Sequence, residues 1–126
     1  MIHGIGTDIV AVARLARALE RFGDELARRI LHPDEQPAFH ASPHPARLLA
    51  KRFAAKEAAV KALGTGFTGG IRLQDVAVGH HPGGQPRLDL HGEARRTAEA
   101  AMVRHTHLSL SDEHEHAVAF VVLERD

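Results

Sequence analysis

The run from Ala46 to Leu63 constrains this chain more than any other stretch. It passes eighteen residues without glycine or proline, is rich in alanine, and meets Gly64 as a stop, so it predicts one long helix. On a wheel of about 100° per residue, Leu49, Phe53, Val60 and Leu63 form an apolar stripe. Lys56 falls in the middle of it. An unpaired buried ammonium is strongly disfavoured, so Lys56 either carries its stem past the core to water or is met by a carboxylate or a phosphate.

The same helix holds every lysine of the chain, Lys51, Lys56 and Lys61, against thirteen arginines elsewhere and within it. Glu57 and Lys61 stand at i and i+4, where an ordinary surface ion pair contributes a few tenths of a kcal/mol. Lys61 also suits the negative end of the helix dipole. The conjunction is what stands out: a carboxylate able to hold a metal, cations on either side of it and a glycine-rich loop lie together, as a polyphosphate with Mg²⁺ requires. "GTGFTGG" is not a P-loop, because Gly70 stands where the lysine belongs and the loop follows a helix. "GIGTDI" lacks the third glycine of the dinucleotide fingerprint, with Ile9 in its place. The candidate for a second metal carboxylate is Asp8, at the end of a first strand expected over about residues 2–9. It also suits a helix N-cap.

Around this helix the order is strand, two or three helices, two strands, helix, two strands, which reads as one α+β domain over residues 1–126 with a mainly antiparallel sheet. The segment "AVARLARALERFGDELARRIL" is helical, with Val12, Leu15, Leu19, Leu26 and Ile30 inward and Gly23 as a break or joint. "HPDEQPAFHASPHP" is a connection with at most a short turn of helix. "LQDVAVGHH" and "PRLDLHG" are strands joined by "HPGGQP". "EARRTAEAAMVRH" is a helix, and "THLSLSD" with "HAVAFVVLER" closes as a hairpin. Arg14, Arg17 and Arg21 form a basic stripe, which Arg28 joins only where Gly23 leaves the helix unbroken.

Sixteen basic and sixteen acidic residues give a net charge of zero, so no global field favours nucleic acid or an anionic membrane. No segment has the length of a membrane span or the pattern of a signal peptide, so a cytoplasmic protein is expected. The absence of cysteine excludes disulfides, thiolate metal sites and a cysteine nucleophile.

"GIGTDIVAVAR" (4–14) followed by "RFAAKEAAVKALGTG" (52–66) resembles the holo-[acyl-carrier-protein] synthases, bacterial 4'-phosphopantetheinyl transferases. "GIRLQDVAV", "GQPRLDLHGEA" and "HLSLSD" match the family in the same order, so the resemblance covers nearly the whole chain. It implies the phosphopantetheinyl transferase-like α+β fold and transfer of the 4'-phosphopantetheine arm of coenzyme A to a serine of apo acyl carrier protein, in fatty acid biosynthesis. It also implies Asp8 and Glu57 as Mg²⁺ ligands, Lys61, Lys56 and Arg52 around the coenzyme A phosphates, and Gly64 to Gly66 beside the nucleotide. By the same resemblance Arg14, Arg17, Arg21 and Arg28 are expected to dock the acidic helix of the carrier protein, and the chain to form a homotrimer with sites between subunits. One departure stands out: many relatives have histidine after the Ser-Leu-Ser strand, where this chain has Asp112, so no catalytic histidine is carried over.

Two other readings compete. His105/His107 and His114/His116 are H-x-H pairs able to offer imidazoles to zinc, though no third ligand stands at a recognisable spacing. A non-catalytic adaptor would have no use for both Asp8 and Glu57.

Overall fold

Ile2–Ala11 forms the first strand, β1, in the computed structural model, which describes residues 1–126. The strand runs two residues past its expected end and leads directly into helix α1, Val12–Phe22. Gly23 takes φ 61°, closes α1 by donating its N–H to Leu19 O at 2.8 Å, and opens α2, Asp24–Ile30. Leu15 and Ile30 are buried, while Val12, Leu19 and Leu26 pack half-buried against the core.

The proline-rich connection folds into a 3-10 turn, Pro33–Glu35, and a short helix α3, Gln36–Ala41. Pro33 suits the first turn because no donor is needed there. The His32 N–H donates to Glu35 and the His32 ring accepts from Asp34 N, a reciprocal cap that turns the Glu35 side chain inward.

Helix α4, Pro45–Leu63, ends at Gly64, whose φ of 85° lets its N–H reach both Val60 O and Lys61 O at 3.1 Å. The expected apolar stripe is too narrow. α4 is the central helix, and beyond its first turn and Lys51 it is buried on every side except along Phe53, Glu57 and Lys61. Ala50, Ala54, Ala58 and Ala62, four residues apart, give it a smooth face. β1 lies on that face so closely that a Cβ on Gly4 would fall 2.0 Å from Ala62 O, and one on Gly6 1.9 Å from Ala58 O. Glycine at both positions is thus a packing requirement.

Beyond the glycine loop come a 3-10 turn, Leu73–Asp75, and an antiparallel pair, β2 Val76–His80 with β3 Pro86–Leu90. Helix α5 is Gly92–Ala100 and stops earlier than expected. Met102 adopts φ 66°, and from Val103 the chain pairs with the last strand, where ladder bonds outweigh the helical pattern. β4, Val103–Asp112, and β5, His116–Arg125, complete an antiparallel sheet of order β1-β5-β4. Two antiparallel sheets therefore replace a single one, joined by Thr106 Oγ1 donating to Leu88 O at 3.1 Å.

One face of the three-stranded sheet packs on α4 through Val10, Ala117, Ala119, Val121 and Leu123. The other is open. Ile5 and Ile9 on β1 and Phe120 on β5 are 57%, 64% and 45% exposed, and the register sets Ile5 beside Val122 and Ile9 beside Val118.

Candidate active site

Period-two alternation along β1 puts Gly4, Gly6, Asp8 and Val10 on the face that meets α4. Asp8 lies inside the strand, opposite Ala119, and α1 is preceded by Ala11 with no side-chain cap, so Asp8 is not a capping residue. On α4, Phe53, Glu57 and Lys61 follow one another at four-residue intervals and form a single line. The two elements bring Asp8, Glu57 and Lys61 together. Lys61 Nζ is 3.1 Å from Asp8 Oδ1 and donates to Thr7 O at 3.0 Å. It spans to β1 instead of closing the helical pair with Glu57.

Within this group it is the charged form of Glu57 that the surroundings disfavour. Burial pushes the Glu57 carboxyl above the ordinary carboxylate range, and the nearby negative charge of Asp8 pushes it further. Lys61 and then Arg14 pull the other way without cancelling the rise. Arg14 also lies over the Phe53 ring, 5.4 Å from its centroid, at the edge of the site. The loop beginning at Gly64 has Gly64 and Gly66 at positive φ, with open space where their side chains would be. All donors here are oxygens, the set that suits a hard divalent cation such as Mg²⁺.

Arg52 and Lys56 stand elsewhere. Both lie on the adjoining line of α4 and turn toward the Pro33–Glu35 turn and β2. Lys56 is wholly buried, with Nζ donating to Glu35 Oε1 at 2.6 Å and to Val76 O. Arg52 Nη1 donates to Glu35 Oε2 at 3.2 Å and to Val78 O at 3.1 Å. Burial pulls the Lys56 ammonium below its ordinary range, and the attraction of Glu35 offsets this only in part. Of the two fates open to Lys56, water or a counter-ion, the fold supplies a carboxylate. The placement of Lys56 against coenzyme A is corrected accordingly: its ammonium is committed inside the protein. Arg52 is engaged with the same carboxylate and lies nearly buried.

Glu35 is the residue that sequence reasoning missed. Its signal was indirect: His32 and Glu35 have capping-box spacing, and Lys56 demanded a partner that nothing nearby on α4 offered. Gly23 breaks the first helix, so Arg28 leaves the stripe of Arg14, Arg17 and Arg21, which remain exposed on α1. Asp112 meets Lys51 Nζ at 3.7 Å. The two rings of each H-x-H pair take separate partners: His105 pairs with Asp126, His107 with Glu124, His114 with Arg47, and His116 with Glu113 in a cluster that also includes Glu115.

A profile of the 4'-phosphopantetheinyl transferase superfamily matches residues 4–121. The holo-[acyl-carrier-protein] synthase of Halorhodospira halophila is 58% identical over 123 residues, covering 98% of each chain. Among solved structures, the holo-[acyl-carrier-protein] synthase of Neisseria meningitidis superposes with a TM-score of 0.91 at 43% identity, covering 99% of this chain and 100% of that one. The Bacillus anthracis enzyme, solved in complex with CoA (3',5'-ADP), gives 0.82 at 35% identity, covering 100% of this chain and 99% of that one. Sequence and fold agree over essentially the full length, and the chain belongs to the holo-[acyl-carrier-protein] synthases of the 4'-phosphopantetheinyl transferase superfamily.

Proposed function

We propose that this chain transfers the 4'-phosphopantetheine arm of coenzyme A to a serine hydroxyl of apo acyl carrier protein, releasing adenosine 3',5'-bisphosphate. The family supports the reaction, and the Bacillus anthracis relative was solved with CoA (3',5'-ADP). Within this chain the observation that carries the reading is the convergence of Asp8, Glu57 and Lys61 beside the Gly64 loop.

Asp8 and Glu57 are the residues that would hold Mg²⁺, since two adjacent carboxylates repel until a cation stands between them. When bound, the ion neutralises charge on the pyrophosphate during phosphoryl transfer. Lys61 has three N–H donors and spends two on Thr7 O and Asp8, which leaves one for a phosphate oxygen of the leaving bisphosphate. The backbone at Gly64 and Gly66 leaves room for the nucleotide to approach.

The exposed arginines Arg14, Arg17 and Arg21 form the dock for the acidic helix of the carrier protein. The open sheet face around Ile5, Ile9 and Phe120 is the surface buried in a homotrimer with shared sites, because a monomer seldom leaves such an apolar row in water. No helix is long and apolar enough to cross a membrane, in keeping with a cytoplasmic enzyme. Calorimetry tests the site: coenzyme A should bind tightly only with Mg²⁺, and Asp8→Asn or Glu57→Gln should remove that dependence. Equal binding with and without Mg²⁺ in the unaltered protein would contradict the assignment.

A further inference from the structure

Of the two buried carboxylates, Glu35 and Asp75, only Glu35 bonds to α4. Oε1 accepts from Lys56 Nζ at 2.6 Å and His32 N at 3.0 Å, and Oε2 from Arg52 Nη1 at 3.2 Å and Val78 N at 3.3 Å. The two cations continue to Val76 O and Val78 O on β2. One carboxylate therefore ties α4 at once to the Pro33–Glu35 turn and to the second sheet.

The tie grips a particular side of the helix. Arg52 and Lys56 precede Phe53 and Glu57 by one residue each, so the gripped line and the site line lie about 100° apart on one rigid cylinder. The opposite face, Ala50, Ala54, Ala58 and Ala62, is packed closely on β1 and β5 but offers only methyl groups there, so the Glu35 tie adds the polar, directional restraint on the helix's rotation. At a side-chain radius of about 5–6 Å, turning α4 by ~10° moves the Glu57 carboxylate about 1 Å relative to Asp8. Misplacement on that scale costs on the order of 10²-fold in a reaction that depends on alignment.

We infer that Glu35 is a positioning residue for the transfer reaction, setting through Lys56 and Arg52 the rotation of α4 at which Glu57 and Lys61 face Asp8. This rests on the proposed function of the same site. The buried cluster is more than a packing element, because its geometry is transmitted to groups it does not touch.

Lys56→Met is the cleanest perturbation, since it leaves Glu35 paired one to one with Arg52 and roughly conserves volume. Coenzyme A affinity with Mg²⁺ is read by calorimetry, and KM for coenzyme A and for carrier protein by turnover, all well below each variant's unfolding transition. The expected result is a cooperatively folded Lys56→Met protein with coenzyme A affinity weakened about tenfold and carrier-protein KM nearly unchanged. Glu35→Gln should act in the same direction, and the double variant should cost little more than the worse single, since both act through one tie. A folded Lys56→Met protein with unaltered coenzyme A affinity would overturn the inference. So would effects that simply add, because Lys56 would then act on the ligand without Glu35. Should Lys56→Met not fold, Glu35→Asp keeps the charge and shortens the reach. The same weakening is expected of it, and unaltered affinity overturns the inference. Failure of the unaltered protein to bind coenzyme A would count against the proposed function, not against the role of Glu35.

Discussion

Replacing Gly6 by alanine tests how the fold delivers Asp8 to the site. The new Cβ would stand 1.9 Å from Ala58 O, 2.9 Å from Ala58 C and 2.9 Å from Ala62 N, all backbone atoms that no rotamer change can clear. Restoring an ordinary contact of about 3.4 Å requires β1 and α4 to separate by roughly 1.5 Å there. Asp8 lies two residues on, on the same face of the strand, and is carried away from Glu57 and Lys61 by much of that distance. Overpacking of this kind costs about 1–3 kcal/mol or more, which for a domain of this size lowers Tm by roughly 10 °C. Displacement on the 1 Å scale should cost on the order of 10²-fold in kcat. The assay is thermal unfolding by circular dichroism together with carrier-protein turnover at a temperature where the variant is folded. A Gly6→Ala protein with Tm within about 2 °C of the parent and near-normal kcat would refute the close β1–α4 approach and the site geometry built on it.

Glu57→Gln should lower turnover by about 10²-fold or more, yet should not lower Tm at neutral pH. Burial and Asp8 hold the native Glu57 carboxyl above its unfolded value, so its favourable contribution exists at acid pH and is lost as pH rises through the raised value, a loss that glutamine escapes. A clear drop in Tm for this variant at pH 7 would contradict that sign. His80 should titrate below 6.5 by NMR, because burial, Arg52, Lys51 and Arg87 all disfavour the imidazolium. A midpoint at or above that value would contradict the cationic cluster. Arg17→Glu with Arg21→Glu should raise the carrier-protein KM steeply and leave coenzyme A affinity unchanged, with added salt imitating the change. Arg14 is spared in this test because it flanks Glu57. Unaltered KM would make the stripe a solvated face. Light scattering should give a trimer, and a fully active monomer would refute shared sites.

The site was legible where its chemistry is written in local spacing. Glu57 and Lys61 sit one helical turn apart, Gly64 closes the same helix, and the strand carrying Asp8 announces itself by its pattern. What escaped was decided by distant contacts. Glu35 stands 21 residues from Lys56 in a stretch that reads as a loop, and only folding shows that its carboxylate turns inward. For the same reason Lys56, adjacent to Glu57 in sequence, belongs to the buried cluster and not to the site. The glycines of "GIG" read as strand residues, but their role against Ala58 and Ala62 depends on which helix crosses the strand. The end of α5 was misplaced because strand pairing with β5 overrides a helical pattern that continues to His105.

The central claim, that this chain moves phosphopantetheine from coenzyme A to a carrier protein, is tested most directly by intact-mass spectrometry of an apo acyl carrier protein incubated with the protein, coenzyme A and Mg²⁺. The carrier should gain the mass of one phosphopantetheine arm on its serine, with release of adenosine 3',5'-bisphosphate, and should gain nothing when Mg²⁺ is chelated. A carrier protein that stays at its apo mass under these conditions, with the enzyme folded and assembled, would contradict the account.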